Sequence, residues 1–403
     1  MSKRMDDGTA GVTGQCRVDE DRLGSAEAIA AGDPGDALRA LASAGPQLRE
    51  AASLAAEANL VSLADEGRPR AVVVAGVGTA ARTGDILSTV AGPRAPVPVV
   101  AHRSAGIPGW VGAADVVIAV SASGRSPEAL AAAEAAARRG ARLVAIGAPD
   151  TELQAVAERA RAPYIPVPRR APARMSLWAL TIPVLMAAKS FGLIRLNEAD
   201  IAETAARLDA DAERCKPGAE PFVNPAKSLA LDLANSIPVV WGSSPLAGVA
   251  ARRFGDMLAA NARYPVLAGE LGEAGRGRVG LLDGVFGTLA EQDRDIFADP
   301  EDEPESTRLR IVLLRDDGLD GDESGTPKDS KRADAVVELT GRRGIRCDVI
   351  NAEGASALER LASLVAVPDF ASVYLALAHG LDPMSVPAVS EMKELSNVME
   401  DNT

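Results

Sequence analysis

Three serines and a glycine fall within six residues at Ser121-Ala122-Ser123-Gly124-Arg125-Ser126, directly after the apolar run 116–120 and directly before Pro127-Glu128. Hydroxyls donate to anionic oxygens, and a glycine lets the backbone approach a ligand closely. A helix opening behind such a loop turns unpaired N–H groups and a positive dipole end toward the same point. Ser126 suits an N-cap, Pro127 the first helical position and Gly140 the stop. Together these residues suit a phosphate monoester. The plainer reading is an ordinary strand-to-helix turn with a serine cap.

A second glycine-rich turn, Gly76-Val77-Gly78-Thr79-Ala80-Ala81, follows the apolar run 71–75. It meets the loose dinucleotide pattern G-x-G-x-x-A, which also calls for an acidic residue about 20 positions on, at the end of the next strand. That strand ends Val99-Val100-Ala101-His102-Arg103, with no carboxylate. Gly76 and Gly78 serve equally well as the second wall of a sugar-phosphate site. With only His102 and His379 in the chain, histidine catalysis and metal binding have little material. No cofactor and no metal is expected.

The elements that must carry these loops read as short continuous strands alternating with helices. Strands are expected at 71–75, 97–101, 116–120 and 142–146, with helices to about 90, at 126–139 and at 153–160. Apolar runs with this alternation indicate an α/β fold, a parallel sheet covered on both faces. A buried helix at 176–191 and a charged amphipathic one at 195–215 follow. The pattern then restarts: strand 237–241, loop Gly242-Ser243-Ser244-Pro245, helix to about 262, strands 310–314 and 347–351, helices near 355–365 and 370–380. The expected organisation is therefore a flexible arm over 1–35, a first domain over 36–215 and a second over 216–403 with acidic solvated loops at 297–335.

The net charge of −13 and the lack of a Lys/Arg stripe exclude a nucleic-acid partner. Cys16, Cys215 and Cys347 lie far apart, outside any metal or disulfide spacing. The N-terminus lacks an apolar signal core, and the run 177–188, interrupted by Thr181 and Pro183, is too short for a bilayer. No membrane partner and a cytoplasmic location are expected.

Taken together, residues 35–400 resemble the sugar isomerase (SIS) fold, and more narrowly the bifunctional phosphoglucose/phosphomannose isomerase family. Its Gly-Met-Gly-Gly-Ser loop aligns with Gly76-Val77-Gly78-Thr79-Ala80. Its Ser-Tyr-Ser-Gly-Asn-Thr-Glu-Glu loop aligns with 121–128, and its Pro-Arg-Ala-Ala segment with Ala173-Arg174-Met175-Ser176. Asn224-Pro225-Ala226-Lys227, Gly380-Leu381-Asp382-Pro383 and Lys393 match its second domain. The resemblance implies two tandem SIS-type domains, a homodimer and a hexose 6-phosphate ligand. It gives Ser121, Ser123, Gly124 and Ser126 the phosphate, with Gly76, Gly78 and Thr79 beside them. Arg174 becomes the cation next to the reacting carbons and Lys393 a C-terminal active-site residue.

The family's chemistry also needs a proton-transferring carboxylate and a ring-opening histidine. The family's Asn-Glu-Asn-Ala-Lys segment aligns with Ala259-Ala260-Asn261-Ala262-Arg263, which puts Ala260 at the glutamate, and its histidine falls at Arg276. The first glycine loop has Ala80 in place of serine. Glu270 and Glu273 are the substitutes left nearby, while Arg276 and Arg278 hold their protons too tightly for ring opening. The expectation is a phosphosugar-binding protein with lost or weak isomerase activity. The alternative is a working isomerase that uses substitute residues.

Overall fold

The computed structural model describes residues 18–58, 60, 63, 67–291, 307–318 and 326–400. Helices α1 (Ala26–Gly32), α2 (Ala37–Ala42) and α3 (Ala44–Glu57) precede a first parallel sheet. Its strands are β1 (Val72–Ala75), β2 (Val99–His102), β3 (Val116–Ser121), β4 (Arg142–Gly147) and β5 (Tyr164–Pro166), in the spatial order β2-β1-β3-β4-β5. The crossovers are α4 (Thr79–Ala91), α5 (Pro127–Arg138) and α6 (Glu152–Ala160). Helices α7 (Leu177–Ser190), α8 (Glu198–Arg214) and α9 (Pro225–Leu233) lead to a second parallel sheet.

That sheet holds β6 (Ser236–Gly242), β7 (Leu267–Glu270), β8 (Arg308–Arg315) and β9 (Cys347–Asn351), in the order β7-β6-β8-β9. It repeats the arrangement of β1 to β4. Helices α10 (Pro245–Met257), α11 (Leu271–Ala274) and α12 (Pro327–Arg342) lie between its strands, and α13 (Ala357–Ala378) and α14 (Pro387–Glu400) complete the chain. The α/β class with two tandem parallel sheets is as the sequence indicates.

The central strands β1 and β3 are buried along their whole length, which their continuous Val/Ile/Ala runs dictate. One apolar core joins the two halves through α3, α4, α7, α8, α10 and α13. Helix α13 corrects the sequence reading, which split it at Pro368. Burial on all faces offsets the roughly 3 kcal/mol that an interior proline costs. By length and composition α13 would cross a membrane, but 89% of its apolar window lies inside the protein.

Residues 1–17 of the expected arm lie outside the described residues. The remainder is not an arm: α1 is helical, and Leu23 and Ile29 are buried in the core. Lys227 anchors this segment. Its buried ammonium donates to the carbonyls of Leu23, Pro217 and Ala219 at 2.8–2.9 Å. Of the expected acidic loops over 297–335, residues 297–306 and 319–325 lie outside the described residues, and the stretch between them is not a loop, because 308–315 form the buried strand β8. Their last stretch is the start of α12, where Thr326 and Asp329 form a reciprocal cap.

Candidate functional site

Strands β1 and β3 pair in register from Val72↔Val116 to Ala75↔Ala119, so the loops that follow them leave the same sheet edge side by side. The glycines make this approach feasible. A Cβ on Gly76 would stand 2.7 Å from the Val120 carbonyl oxygen and 2.9 Å from Ala80 Cβ. Gly78, at φ +58°, is the N-cap of α4, and half-buried Thr79 is that helix's first residue. Gly124 turns at φ +67°, packed against Thr151 at the start of α6.

Within the serine loop, Ser121 Oγ accepts from Ser126 N at 3.3 Å and lies 3.4 Å from Ser123 Oγ. Ser123 Oγ accepts from Arg125 N at 3.2 Å. Ser126 sits at the N-cap of α5 as expected, but its hydroxyl donates to Glu128 Oε2 at 2.7 Å rather than capping the helix. Gly140, at φ +67°, ends α5. Three hydroxyls and the first-turn N–H groups of α5 therefore cluster at the carboxyl edge of the sheet, where ligands of open α/β sheets bind.

The second half of the chain closes on this edge. Arg82, in the first turn of α4, pairs with Asp85 at 2.8 Å and with Asp256, near the end of α10, at 2.6 Å. The start of α4 and the end of α10 therefore meet. Beyond Met257, helix α10 widens into a π turn over Leu258–Ala262, a distortion frequent at functional sites. Asn261 in that turn is fully buried. Its Oδ1 accepts from Arg174 Nε at 2.9 Å, and its Nδ2 donates to Ser372 Oγ at 2.9 Å.

Arg174 Nη2 donates to the carbonyls of Pro383 and Met384 at 2.8 and 3.0 Å, while Nη1 makes no hydrogen bond among the described residues. Arg263, at φ +57°, holds the same C-terminal turn through the carbonyls of Asp382 and Ser385. Behind Arg174, Arg253 donates to its carbonyl and pairs with buried Asp369 at 2.8 Å. Burial, Arg253 and Arg263 all lower the pKa of Arg174, against the pull of Asp382. Its ordinary value is high enough that the guanidinium remains a cation at neutral pH.

The structure does not bring every sequence candidate here. Glu270 ends β7 on the second sheet and pairs with Arg252 at 3.1 Å, its side chain against Gly248. Asn261 lies thirteen residues further along α10 and its π turn, roughly 20 Å away at 1.5 Å per residue. Glu273, Arg276 and Arg278 are exposed around α11, where Glu273 and Arg278 line a separate apolar groove of about 1050 Å³. Lys393 lies on α14, and its side chain is outside the described residues.

His379 is the C-cap of α13, as a packed or capping residue would be, with Nε2 2.8 Å from the Tyr264 hydroxyl. Burial lowers its pKa. Ala260, half-buried in the π turn beside Asn261, carries no ionisable group. Sequence reading missed Arg82, Arg253 and Asn261 as site-builders. The only signal for them was an Asn within the aligned 259–263 segment, because their partners lie 87 to 174 residues away. Among the described residues no cluster of His, Cys, Asp and Glu could hold a metal ion.

Residues 222–395 match the family model for the bacterial phospho-glucose isomerase C-terminal SIS domain. A bifunctional phosphoglucose/phosphomannose isomerase from Caldicellulosiruptor bescii is 29% identical over 326 residues, spanning 80% of this chain and 88% of that protein. Two solved structures share the fold. A hypothetical protein from Thermus thermophilus superposes with a TM-score of 0.65 at 15% identity, over 94% of this chain and 93% of its own. The C-terminal domain of glucosamine-fructose-6-phosphate aminotransferase from Francisella tularensis gives 0.58 at 13% identity, over 87% and 98%.

Proposed function

From the premise that this chain is a divergent SIS-domain protein, we propose that it binds hexose 6-phosphates at the serine loop and has lost efficient isomerase chemistry. The observation that carries the reading is the serine loop itself. Ser121, Ser123 and Ser126 stand at the start of α5 beside the Gly76–Thr79 turn, and Arg174, from the turn before α7, is held by Asn261 in the π turn after α10. The phosphate would take the loop hydroxyls and first-turn N–H groups. Arg174, held by Nε and Nη2, would present Nη1 to an oxygen of the sugar.

Isomerisation additionally needs a group that moves a proton between adjacent carbons, typically worth 10²–10⁴-fold in rate. At the aligned position stands Ala260, and the carboxylate of Glu270 is engaged with Arg252 toward the start of α10 rather than with the π turn that carries Ala260. A homodimer, as the resemblance implies, belongs to the same proposal, and light scattering tests it. The functional test pairs calorimetric titration of glucose, mannose and fructose 6-phosphates with a coupled isomerase assay. Saturable binding abolished by Ser123→Ala, without turnover, is the expected outcome. Turnover abolished by Glu270→Ala would instead favour a working isomerase with substitute residues.

A further inference from the structure

The repeat of the first sheet in the second gives the chain a second strand–loop–helix edge. Strand β6 matches β1 and β8 matches β3 in sheet order. The loop over 242–245 therefore corresponds to the Gly76–Thr79 turn, and the turn 316–318 after β8 corresponds to the serine loop after β3. Helix α10 opens here with Pro245 at its first position and Ser244 as N-cap, whose Oγ accepts from Ala247 N at 3.1 Å. The parts of an anion site recur: two hydroxyls, a helix N-terminus and, in addition, the guanidinium of Arg360.

This edge already holds an anion. Ser244 Oγ donates to Asp316 Oδ2 at 2.8 Å, Gly318 N donates to Oδ1 at 3.2 Å, and Arg360 Nε pairs with Oδ1 at 3.0 Å. Asp316 N donates to Ser243 Oγ at 2.8 Å, fixing the backbone that carries the carboxylate. All four side chains are out of solvent: Asp316 is 0%, Ser244 2%, Arg360 3% and Ser243 4% exposed. In the serine loop of the first domain, by contrast, Ser121 and Ser123 bond, among the described residues, only to loop N–H groups and to each other. Ser126 alone meets a carboxylate, that of Glu128 in the first turn of its own helix.

We infer that the second domain contains an anion site built from the same kinds of parts as the first, with its serines and helix N-terminus on the loop equivalent to the Gly76–Thr79 turn, and that it is filled by the chain's own Asp316 carboxylate, so that each chain takes one phosphosugar rather than two. The internal ligand is favoured on two physical grounds. A carboxylate on a fixed backbone has an effective concentration that a dissolved anion does not match. A guanidinium buried as deeply as Arg360 also favours a fixed anion beside it, because breaking a buried ion pair is strongly destabilising. An incoming phosphate would meet the like charge of Asp316 before reaching either serine. The internal-ligand half of this inference stands on the geometry alone, and the stoichiometric half rests on the function proposed above.

Chemical rescue tests the internal ligand. Asp316→Ala should lower Tm by roughly 6–20 °C, the cost of breaking a buried pair in a domain of this size. Acetate should restore a substantial part of that loss at an ionic strength where chloride does not, and should leave the wild-type Tm unmoved. A variant that gains no more from acetate than wild type, or one as stable as wild type without it, overturns the inference. Should Asp316→Ala fail to fold, Asp316→Asn keeps the shape and loses the charge. It should melt below wild type, and equal stability again overturns the idea. Calorimetric titration of wild type with glucose 6-phosphate should give one site per chain. Two sites would overturn the inference. No binding at all would overturn the proposed function and the stoichiometric half with it, leaving acetate rescue to decide the internal ligand.

Discussion

Gly124→Ala is the sharpest perturbation of the serine loop, because the structure separates two costs. The first is backbone strain: at φ +67° an alanine loses roughly 1–2 kcal/mol relative to glycine. The second is steric. The new Cβ would stand 2.6 Å from Thr151 Cβ and 2.8 Å from Thr151 Cγ2, and closer still to Oγ1. Thr151 cannot swing its own Cβ aside. It opens α6, and its hydroxyl is tied to the Ala148 carbonyl at 2.8 Å. Overpacking of this kind costs about 1–3 kcal/mol, so the total is about 2–5 kcal/mol.

Relief by a loop shift would move Ser123 and Ser126 with Gly124. Losing two hydroxyl contacts to a charged phosphate, at roughly 1.5 kcal/mol each, weakens binding by about 100-fold. The assay is urea unfolding together with calorimetric titration of glucose 6-phosphate, repeated in a Thr151→Gly background. There the clash is gone and only the strain should remain, so the double variant should be destabilised by less than the sum of the two single ones. A Gly124→Ala protein that unfolds at the wild-type urea concentration and keeps its affinity refutes the reasoning. Equal costs in both backgrounds would refute the steric part alone.

Other perturbations follow from the same geometry. Arg253→Met should cost about 3–5 kcal/mol in urea unfolding, because it strands the Asp369 carboxylate in the core, and adding Asp369→Leu should recover part of that loss. Arg174→Lys keeps the charge but cannot span Asn261 Oδ1 and the two carbonyls at 383 and 384. It should lower Tm and weaken phosphosugar binding by about tenfold, roughly 1.4 kcal/mol. His379 has its pKa lowered by burial below the ordinary value of 6.5, so the unfolded chain takes up the proton first as pH falls. Its contribution is therefore absent above that value, destabilises progressively below it and levels off beneath the folded pKa. His379→Gln should flatten the pH dependence of unfolding over that acidic window.

Much of this architecture was legible because burial on both sheet faces demands continuous apolar runs, which β1, β3 and β4 supply. The serine loop was legible for the same reason, since its hydroxyls directly follow such a run and precede a proline at a helix start. What escaped were elements whose identity comes from their neighbours. Strand β5, three residues ending in a proline, and β7, four residues with a glycine, are strands because β4 and β6 offer them free ladder groups. Pro368 reads as a break, yet α13 runs through it because its whole circumference is packed. Helix α1 reads as part of a polar arm until Lys227, some 200 positions away, ties Leu23 to the 217–219 carbonyls. The residues that assemble the site's second wall follow the same rule. Arg174 and Asn261 come from opposite halves of the chain, and Arg253 and Asp369 from helices α10 and α13, 116 positions apart.

The central claim is that a phosphosugar site survives here without its isomerase chemistry, and one experiment tests it most directly. Purified protein is titrated calorimetrically with glucose 6-phosphate, and the same sample is assayed for conversion to fructose 6-phosphate. The account predicts saturable binding that Ser123→Ala abolishes, with no turnover above the uncatalysed background. Turnover at an ordinary enzymatic rate, on the order of 1–10³ per second, would contradict it and require a proton-transferring group that the geometry around Ala260 does not provide.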